Sequence, residues 1–321
     1  MGVYAMRLII TGAAGLYGVH MVNALSNAKY TEKIIGVDDF SRNFLSKDPF
    51  IDSGSEKFEL LKMDYADLDK KKIDEIQPDV VVHLAASVSI PESIDDPWKY
   101  FNNNEAGTFR LTQNLLASKT QPTLIYASSP EVYGNPKYVP MDENHPLNPT
   151  STYAVTKLAC EKHCMSMWEW YKYPVTVIRN FNTYGENQNL WGYSAVIPAF
   201  IQNALRGEPL TIDGDGKQTR DFMYVSDAVN AYKMVIENPR AATGETFNIG
   251  TGTDTPIGEL AEKILAMTGS KSKVVHRDAR LGDLMALRAN IDHIKSKLGW
   301  SPAVAMDEGL RKTMEWYKRF V

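Results

Sequence analysis

A chain of 321 residues can bury a large core and divide into about two domains. It is 44% hydrophobic and 23% charged, an ordinary globular balance, and its net charge of −4 without a basic block argues against nucleic acid as a partner. No apolar run reaches the length of a membrane span, and "MGVYAMRLIITG" lacks a secretory layout, so a cytoplasmic location without membrane attachment is expected.

In chain order, "RLIIT" (7–11) reads as a buried strand and "LYGVHMVNALSNA" (16–28) as a helix. "KIIGV" (33–37), "KFELLKM" (57–63) and "DVVVHLA" (79–85) read as further strands. A long helix is expected within 97–119, then the strand "PTLIYAS" (122–128), a Pro- and Asn-rich loop over 135–150, a helix over 152–172 and the strand "PVTVIRN" (174–180). After residue 182 the pattern changes. The stretch 183–222 reads as loop-rich with one helix near 195–206, 223–238 as a helix and "ETFNIG" (245–250) as a strand. The tail, 254–321, reads as two helical patterns separated by the charged "HRDARLGD". Strands alternating with helices predict an α/β fold with a parallel sheet covered on both faces.

Cys160 and Cys164 lie four apart on a helical pattern, a poor geometry for a disulfide. His163 falls on another face and no further ligands lie nearby, so both cysteines read as small core residues and no metal site is expected.

"TGAAGLYG" (11–18) follows a strand and opens a helix, with Gly12, Gly15 and Gly18 spaced GxxGxxG. Glycine keeps such a turn tight and lets backbone approach a pyrophosphate, and the helix N-terminus offers N–H groups to the anion. The second strand ends in Asp38, where a carboxylate accepts from an adenosine ribose hydroxyl and repels a 2′-phosphate. The expected cofactor is therefore NAD rather than NADP. Asp64, ending the third strand, either accepts from an adenine amine or is a solvated loop carboxylate.

"STYAVTK" (151–157) places Tyr153 and Lys157 four apart, on one face of a helix. A tyrosine is a poor base at neutral pH, but a neighbouring ammonium stabilises its phenolate. Such a pair can remove an alcohol proton while hydride leaves the adjacent carbon.

Together with "HLAA" (83–86), "NNNEAGT" (102–108), "SSPEVYG" (128–134), "RNFNTYG" (179–185), "QTRDFMYVSD" (218–227) and "RLGD" (280–283), these motifs resemble the extended short-chain dehydrogenase/reductase family, within it the nucleotide-sugar epimerases and dehydratases. The resemblance covers almost the whole chain. It implies a Rossmann-type doubly wound parallel sheet with a smaller mixed α/β C-terminal substrate domain. The expected division is 1–181 plus 223–250 for NAD and 182–222 plus 251–321 for the nucleotide sugar.

By resemblance, Ser129, Tyr153 and Lys157 form the catalytic triad, and Lys157 also holds the nicotinamide ribose. Leu16 and Tyr17 contact the pyrophosphate through backbone, Asp38 and Asp39 the adenosine ribose, and Asp64 with Tyr65 the adenine. Leu84, Ala85 and Ala86 line the cofactor trough, and Asn104 orients the site. Ser87 and Ser129 face the sugar. Asn182, Arg220, Arg280 and Asp283 clamp the nucleotide diphosphate, where a planar guanidinium suits phosphate oxygens. The tail over 276–288 is expected to lie over the sugar, with Leu287 apolar there.

In this family the sugar is first oxidised at C4, with Tyr153 taking the proton and NAD the hydride. A 4-epimerase needs little more than the triad and room for the keto sugar to turn. A 4,6-dehydratase also needs an acid and a base, carried as Asp-Glu before "VYG"; here that pair is Pro130-Glu131. Proline cannot donate a proton, which favours a 4-epimerase. The 4-uronate decarboxylases carry a glutamate at this place and an arginine in the tail, where Leu287 aligns and Arg288 is adjacent. Glu131 thus stays open between a C5 base, a partner of a sugar hydroxyl and a residue without chemical role. A reductase, another epimerase and a non-catalytic dinucleotide sensor complete the readings; a sensor is expected to lose the tyrosine or lysine. The family also associates through helices 97–119 and 152–172, so a homodimer is expected.

Overall fold

The computed structural model describes residues 5–42, 55–189, 195–279 and 284–320. Its centre is a sheet of seven parallel strands, β1 (Met6–Thr11), β2 (Thr31–Asp38), β3 (Phe58–Lys62), β4 (Val80–His83), β5 (Thr123–Ser128), β6 (Val175–Asn180) and, numbered by its later place in the chain, β11 (Thr246–Ile249). The order β11-β6-β5-β4-β1-β2-β3 makes the chain turn back at the junction of β1 and β4, where open α/β sheets bind ligands at their carboxyl edge.

Both faces are buried, as the continuous β-branched runs require. Leu8, Ile10, Val80, Val82 and Ile125 enter one core, and Ile9, Val81, Leu124 and Tyr126 the other, following the two-residue period of a strand. Helices Leu16–Ser26 and Val225–Glu237 cover the first face; Gly107–Ala117 and Thr152–Tyr171 cover the second. The first core runs on without a break to Phe200, Leu260 and Leu310 of the later segments.

The strands of 182–287 form smaller sheets: β7 (Asn182–Tyr184) with β10 (Phe222–Tyr224), β8 (Leu210–Asp213) with β13 (Val274–Arg277), and β9 (Thr219–Arg220) between β12 (Thr255–Pro256) and β14 (Ala286–Leu287). The helix expected over 223–238 therefore starts later, at Val225, because the buried Phe222–Tyr224 pairs in parallel with β7. Among the described residues the tail holds three helices instead of two, Ile257–Thr268, Asp292–Leu298 and Met306–Tyr317. Gly299, left-handed at φ 72°, and Pro302 break the last pattern. The long helix within 97–119 is interrupted by a π-helical turn, Phe101–Ala106, and ends at Ala117. Among the described residues, no helix is long and apolar enough to cross a membrane.

Candidate active site

The glycine turn sits at the β1 end of the chain reversal. Gly12 is left-handed at φ 72°, and a Cβ there would stand 2.8 Å from the Ala85 nitrogen. At Gly18 a Cβ would stand 2.2 Å from the Gly12 carbonyl oxygen, so the helix can approach the turn only without a side chain. Gly15 caps the helix with no side-chain bond, leaving the first-turn N–H groups of Leu16, Tyr17 and Gly18 without a capping side chain. Asp38 braces this turn: one carboxylate oxygen accepts from Ala14 N at 2.9 Å and the other from Phe40 N at 2.8 Å. Burial raises its carboxyl above the ordinary range. Asp39 caps its own loop, accepting from Ser41 N and Oγ.

Asp64 accepts from Ala66 N and starts a short 3-10 turn. Tyr65 is buried, with its hydroxyl donating to the Asn103 carbonyl and its ring against His83, so any contact it makes with adenine comes through backbone. His83 ties the reversal together: Nδ1 lies 2.7 Å from Thr11 Oγ1 and Nε2 2.9 Å from Thr108 Oγ1. Burial, with the Lys157 charge adding to it, pushes its pKa down to about 3, so the ring is neutral near pH 7. Leu84, Ala85 and Ala86 follow at the β4 edge, each partly exposed.

Ser87 is held from three sides. Its N–H donates to Asn104 Oδ1 at 2.7 Å, its carbonyl accepts from Asn104 Nδ2 at 2.9 Å, and its hydroxyl accepts from Asn103 Nδ2. Asn104 Nδ2 also reaches Thr156 Oγ1 on the next helix at 3.2 Å. The π-helical turn thus aims a buried amide at the loop after β4, locking that loop to the helix that carries Tyr153.

That helix starts at Thr152, capped by Ser151. Tyr153, Lys157 and Glu161 follow one another at four-residue steps down one face. Lys157 Nζ donates to the Ala127 carbonyl at 2.6 Å and lies 4.7 Å from the Tyr126 ring centroid. Burial pushes its pKa down to about 8. One residue beyond β5, Ser129 caps a 3-10 turn, Pro130–Tyr133, its hydroxyl accepting from Glu131 N at 3.2 Å. Ser128 Oγ donates to Glu161 at 2.5 Å, and Glu161 pairs with Arg179 at 2.7 Å, both buried. Sequence reasoning missed Glu161 and Arg179; the four-residue repeat from Tyr153 was the available signal.

On the other side, Asn182 opens β7 with a buried Oδ1 that has no hydrogen-bond partner. Arg220 Nη1 donates to the Thr219 and Leu284 carbonyls, bracing the tail beside β14. Arg280 and Asp283 lie outside the described residues. Leu287 is fully buried with Val132, Tyr133, Phe181 and Leu284, in the apolar wall beside the 130–133 turn. Arg288, next along, donates instead to Asp254 at 3.3 Å.

The family model described as GDP-mannose 4,6 dehydratase matches residues 9–313. The chain belongs to the nucleotide-sugar epimerase/dehydratase branch of the extended short-chain dehydrogenases/reductases. It is 34% identical over 314 residues to a UDP-glucose 4-epimerase of Mycolicibacterium smegmatis, covering 98% of this chain and 99% of the relative. It is 31% identical over 326 residues to a human dTDP-D-glucose 4,6-dehydratase, covering 99% and 91%. The structure of a UDP-glucuronic acid 4-epimerase from Bacillus cereus, complexed with UDP-glucuronic acid and NAD, superposes with a TM-score of 0.92 at 28% identity, covering 98% of this chain and all of that one. This branch therefore contains more than one reaction on the same frame, and the differences among its members have to be read at the site.

Proposed function

We propose that the protein is an NAD-dependent nucleotide-sugar 4-epimerase, an isomerase acting on UDP-hexoses of the glucose/galactose type or their N-acetyl or uronate variants through a transient 4-keto sugar. The observation that carries this is the make-up of the 130–133 turn: an imino ring stands where a dehydratase needs an acid, and the tail residue packed beneath the turn is Leu287. Arg288, the cation a decarboxylase reading would use, is engaged with Asp254.

The cofactor is NAD, and the residues fit it: Gly12 and Gly18 let the turn close against β4 and the following helix, and that helix starts with no capping side chain on its first N–H groups. Gly12, Gly15, Leu16, Tyr17 and Gly18 would hold its pyrophosphate, Asp38 and Asp39 its adenosine ribose, and Asp64 with the backbone of Tyr65 its adenine. Leu84, Ala85 and Ala86 would line its trough, Asn104 would fix that trough to the catalytic helix, and Tyr153 and Lys157 would meet the nicotinamide ribose. NAD, when bound, supplies a reversible hydride acceptor for the sugar C4. Tyr153 takes the 4-hydroxyl proton and returns it, Lys157 stabilises the phenolate, and Ser129 holds the reacting oxygen beside Ser87. Asn182 and Arg220, with Arg280 and Asp283, clamp the diphosphate. We assign residues 1–181 and 223–250 to the NAD-binding part and 182–222 and 251–321 to the sugar-nucleotide part. The aromatic surface on helices 97–117 and 152–171 supports a homodimer.

A second reading, decarboxylation or 4,6-dehydration with Glu131 as C5 base, is favoured by that glutamate's place two residues from Ser129. Incubation with UDP-galactose, UDP-N-acetylglucosamine and UDP-glucuronic acid with catalytic NAD, followed by product NMR, decides. Inversion at C4 without net cofactor change is expected. Loss of water or carbon dioxide would overturn the epimerase reading. Tyr153→Phe should abolish most turnover while nucleotide-sugar binding persists, whereas a dinucleotide sensor would keep its function.

A further inference from the structure

Behind Ser129 runs a chain of buried polar side chains that ends at the tail. Ser128 Oγ donates to Glu161 at 2.5 Å. Arg179 grips Glu161 through Nε at 3.0 Å and Nη2 at 2.7 Å. Its Nη1 donates to the Tyr133 hydroxyl at 2.8 Å, and that hydroxyl donates to Asn248 Oδ1 at 2.6 Å. Asn248 Nδ2 then donates to the Met141 carbonyl at 3.0 Å. Met141 is laced to the tail on both sides: its N–H donates to the Arg288 carbonyl at 2.8 Å, and its carbonyl accepts from Asn290 N at 2.7 Å.

Every side chain in this series is at most 4% exposed. Buried polar groups in such a state hold their neighbours in one geometry, because any shift strands a donor or a charge in a low-dielectric interior. The same helix carries Tyr153 and Lys157 above Glu161, and β5 ends in Ser128 beside Ser129, so the series fixes the base and the hydroxyl relative to one another. It also connects them to the segment immediately following residues 280–283. The tyrosine of "SSPEVYG" is the junction: it is the only member that bonds both the Arg179–Glu161 pair and Asn248.

We propose that Tyr133 is a positioning residue that couples the seating of the tail segment 284–290 to the placement of Ser129 against the sugar. This rests on the epimerase reading of the site, in which Ser129 touches the reacting oxygen. The phenol transmits position and exchanges no proton with substrate. Its ring packs with Val132, Phe181 and Leu287 and would stay in place without the hydroxyl.

The test is Tyr133→Phe, measured alone and in a Ser129→Ala background, on whichever of UDP-galactose, UDP-N-acetylglucosamine and UDP-glucuronic acid the wild type inverts. Misplacing a reacting group by a fraction of an ångström costs rate more than binding, so Tyr133→Phe should lower kcat about ten-fold. The Kd for UDP, read by calorimetry, should stay within about two-fold, since the clamp itself is untouched. In the Ser129→Ala background the kcat loss should vanish, because a coupled pair is non-additive. An equal loss in both backgrounds, no loss at all, or weakened UDP binding matched by a fallen Tm would overturn the proposal. If Tyr133→Phe does not fold, Ser128→Ala, which cuts the other end of the series, is read by the same criteria. A wild-type kcat in Ser129→Ala alone would instead defeat the reading of the site.

Discussion

Lys157 donates to the Ala127 carbonyl from inside the core, 2.6 Å away, so the ammonium proposed to serve Tyr153 is also a pin between helix 152–171 and the end of β5. The pin holds a charge where burial resists it. Burial pushes the folded pKa down to about 8 from an unfolded value of 10.5. Between these values the unfolded chain keeps a proton that the folded one has released, so this group's contribution to stability rises with pH from about 8 to about 10.5. Catalysis runs the other way, since a neutral amine no longer stabilises the phenolate. Accordingly, kcat/KM should fall on the basic side with an apparent pKa near 8. Lys157→Met should abolish most turnover yet raise Tm at pH 7, with the gain shrinking towards pH 10. A Tm gain that grows with pH would contradict this assignment.

Gly18 has ordinary backbone angles, and its constraint is space. An added Cβ would meet the Gly12 carbonyl oxygen at 2.2 Å and Ala13 Cα at 2.5 Å, both backbone atoms that cannot swing aside. Gly18→Ala should therefore push the helix Leu16–Ser26 off the turn. The expected result is a loss of NAD affinity of at least about ten-fold, with a Tm reduction of several degrees from overpacking. Gly207→Ala is the control. Its Cβ meets nothing, so only the left-handed φ of 73° costs stability and NAD binding is unchanged. Equal NAD titrations for Gly18→Ala and wild type would refute the steric argument.

The sheet was legible because its signal is local. Runs such as "RLIIT" and "DVVVH" are apolar on both faces, and the glycine turn announces where the first strand stops. The substrate side was harder, because β7, β9, β12 and β14 are two or three residues long and exist only through partners distant in the chain. "FMY" has a helix-compatible neighbourhood, and its pairing with Asn182–Tyr184 decided its conformation. Leu287 reads from the sequence only as an apolar residue of the tail, and its burial beside Tyr133 depends on partners distant in the chain. The Glu161–Arg179 pair was invisible for the same reason. Each residue reads alone as a surface charge, and only the fold brings them to 2.7 Å.

Helices 97–117 and 152–171 leave large apolar groups on the surface. Trp98 is 71% exposed, Phe109 46% and Val155 48%, while Met167 of the same stretch is in the core and Trp168 packs over Gly244. Phe109 also stacks on His163 across the two helices, at 5.1 Å between ring centroids, so it marks the groove between them. An apolar patch of this kind is normally covered in a stable assembly. Light scattering at micromolar protein should give twice the 36.0 kDa chain mass. Phe109→Glu, which buries a charge in the seam, should give the chain mass with little change in Tm per chain. A monomeric wild type would end the homodimer reading.

Glu131 separates the two reactions this frame can carry. Its N–H donates to Ser129 Oγ at 3.2 Å, a backbone bond that survives Glu131→Gln. The substitution therefore tests the carboxylate without removing the support of the serine. In a 4-epimerase the carboxylate moves no proton, so C4 inversion by Glu131→Gln should stay within about three-fold of wild type. A general base contributes 10²- to 10⁴-fold, roughly, and its loss would be unmistakable. The complementary measurement uses the wild type in deuterium oxide. A base at C5 exchanges the C5 hydrogen while the keto sugar is present, and NMR reads the label directly. No deuterium at C5 and retained inversion in Glu131→Gln together fit an epimerase whose sugar reacts at C4 alone. Label at C5, with a large loss in the variant, would assign Glu131 the proton and move the protein to the dehydratase or decarboxylase side of its family.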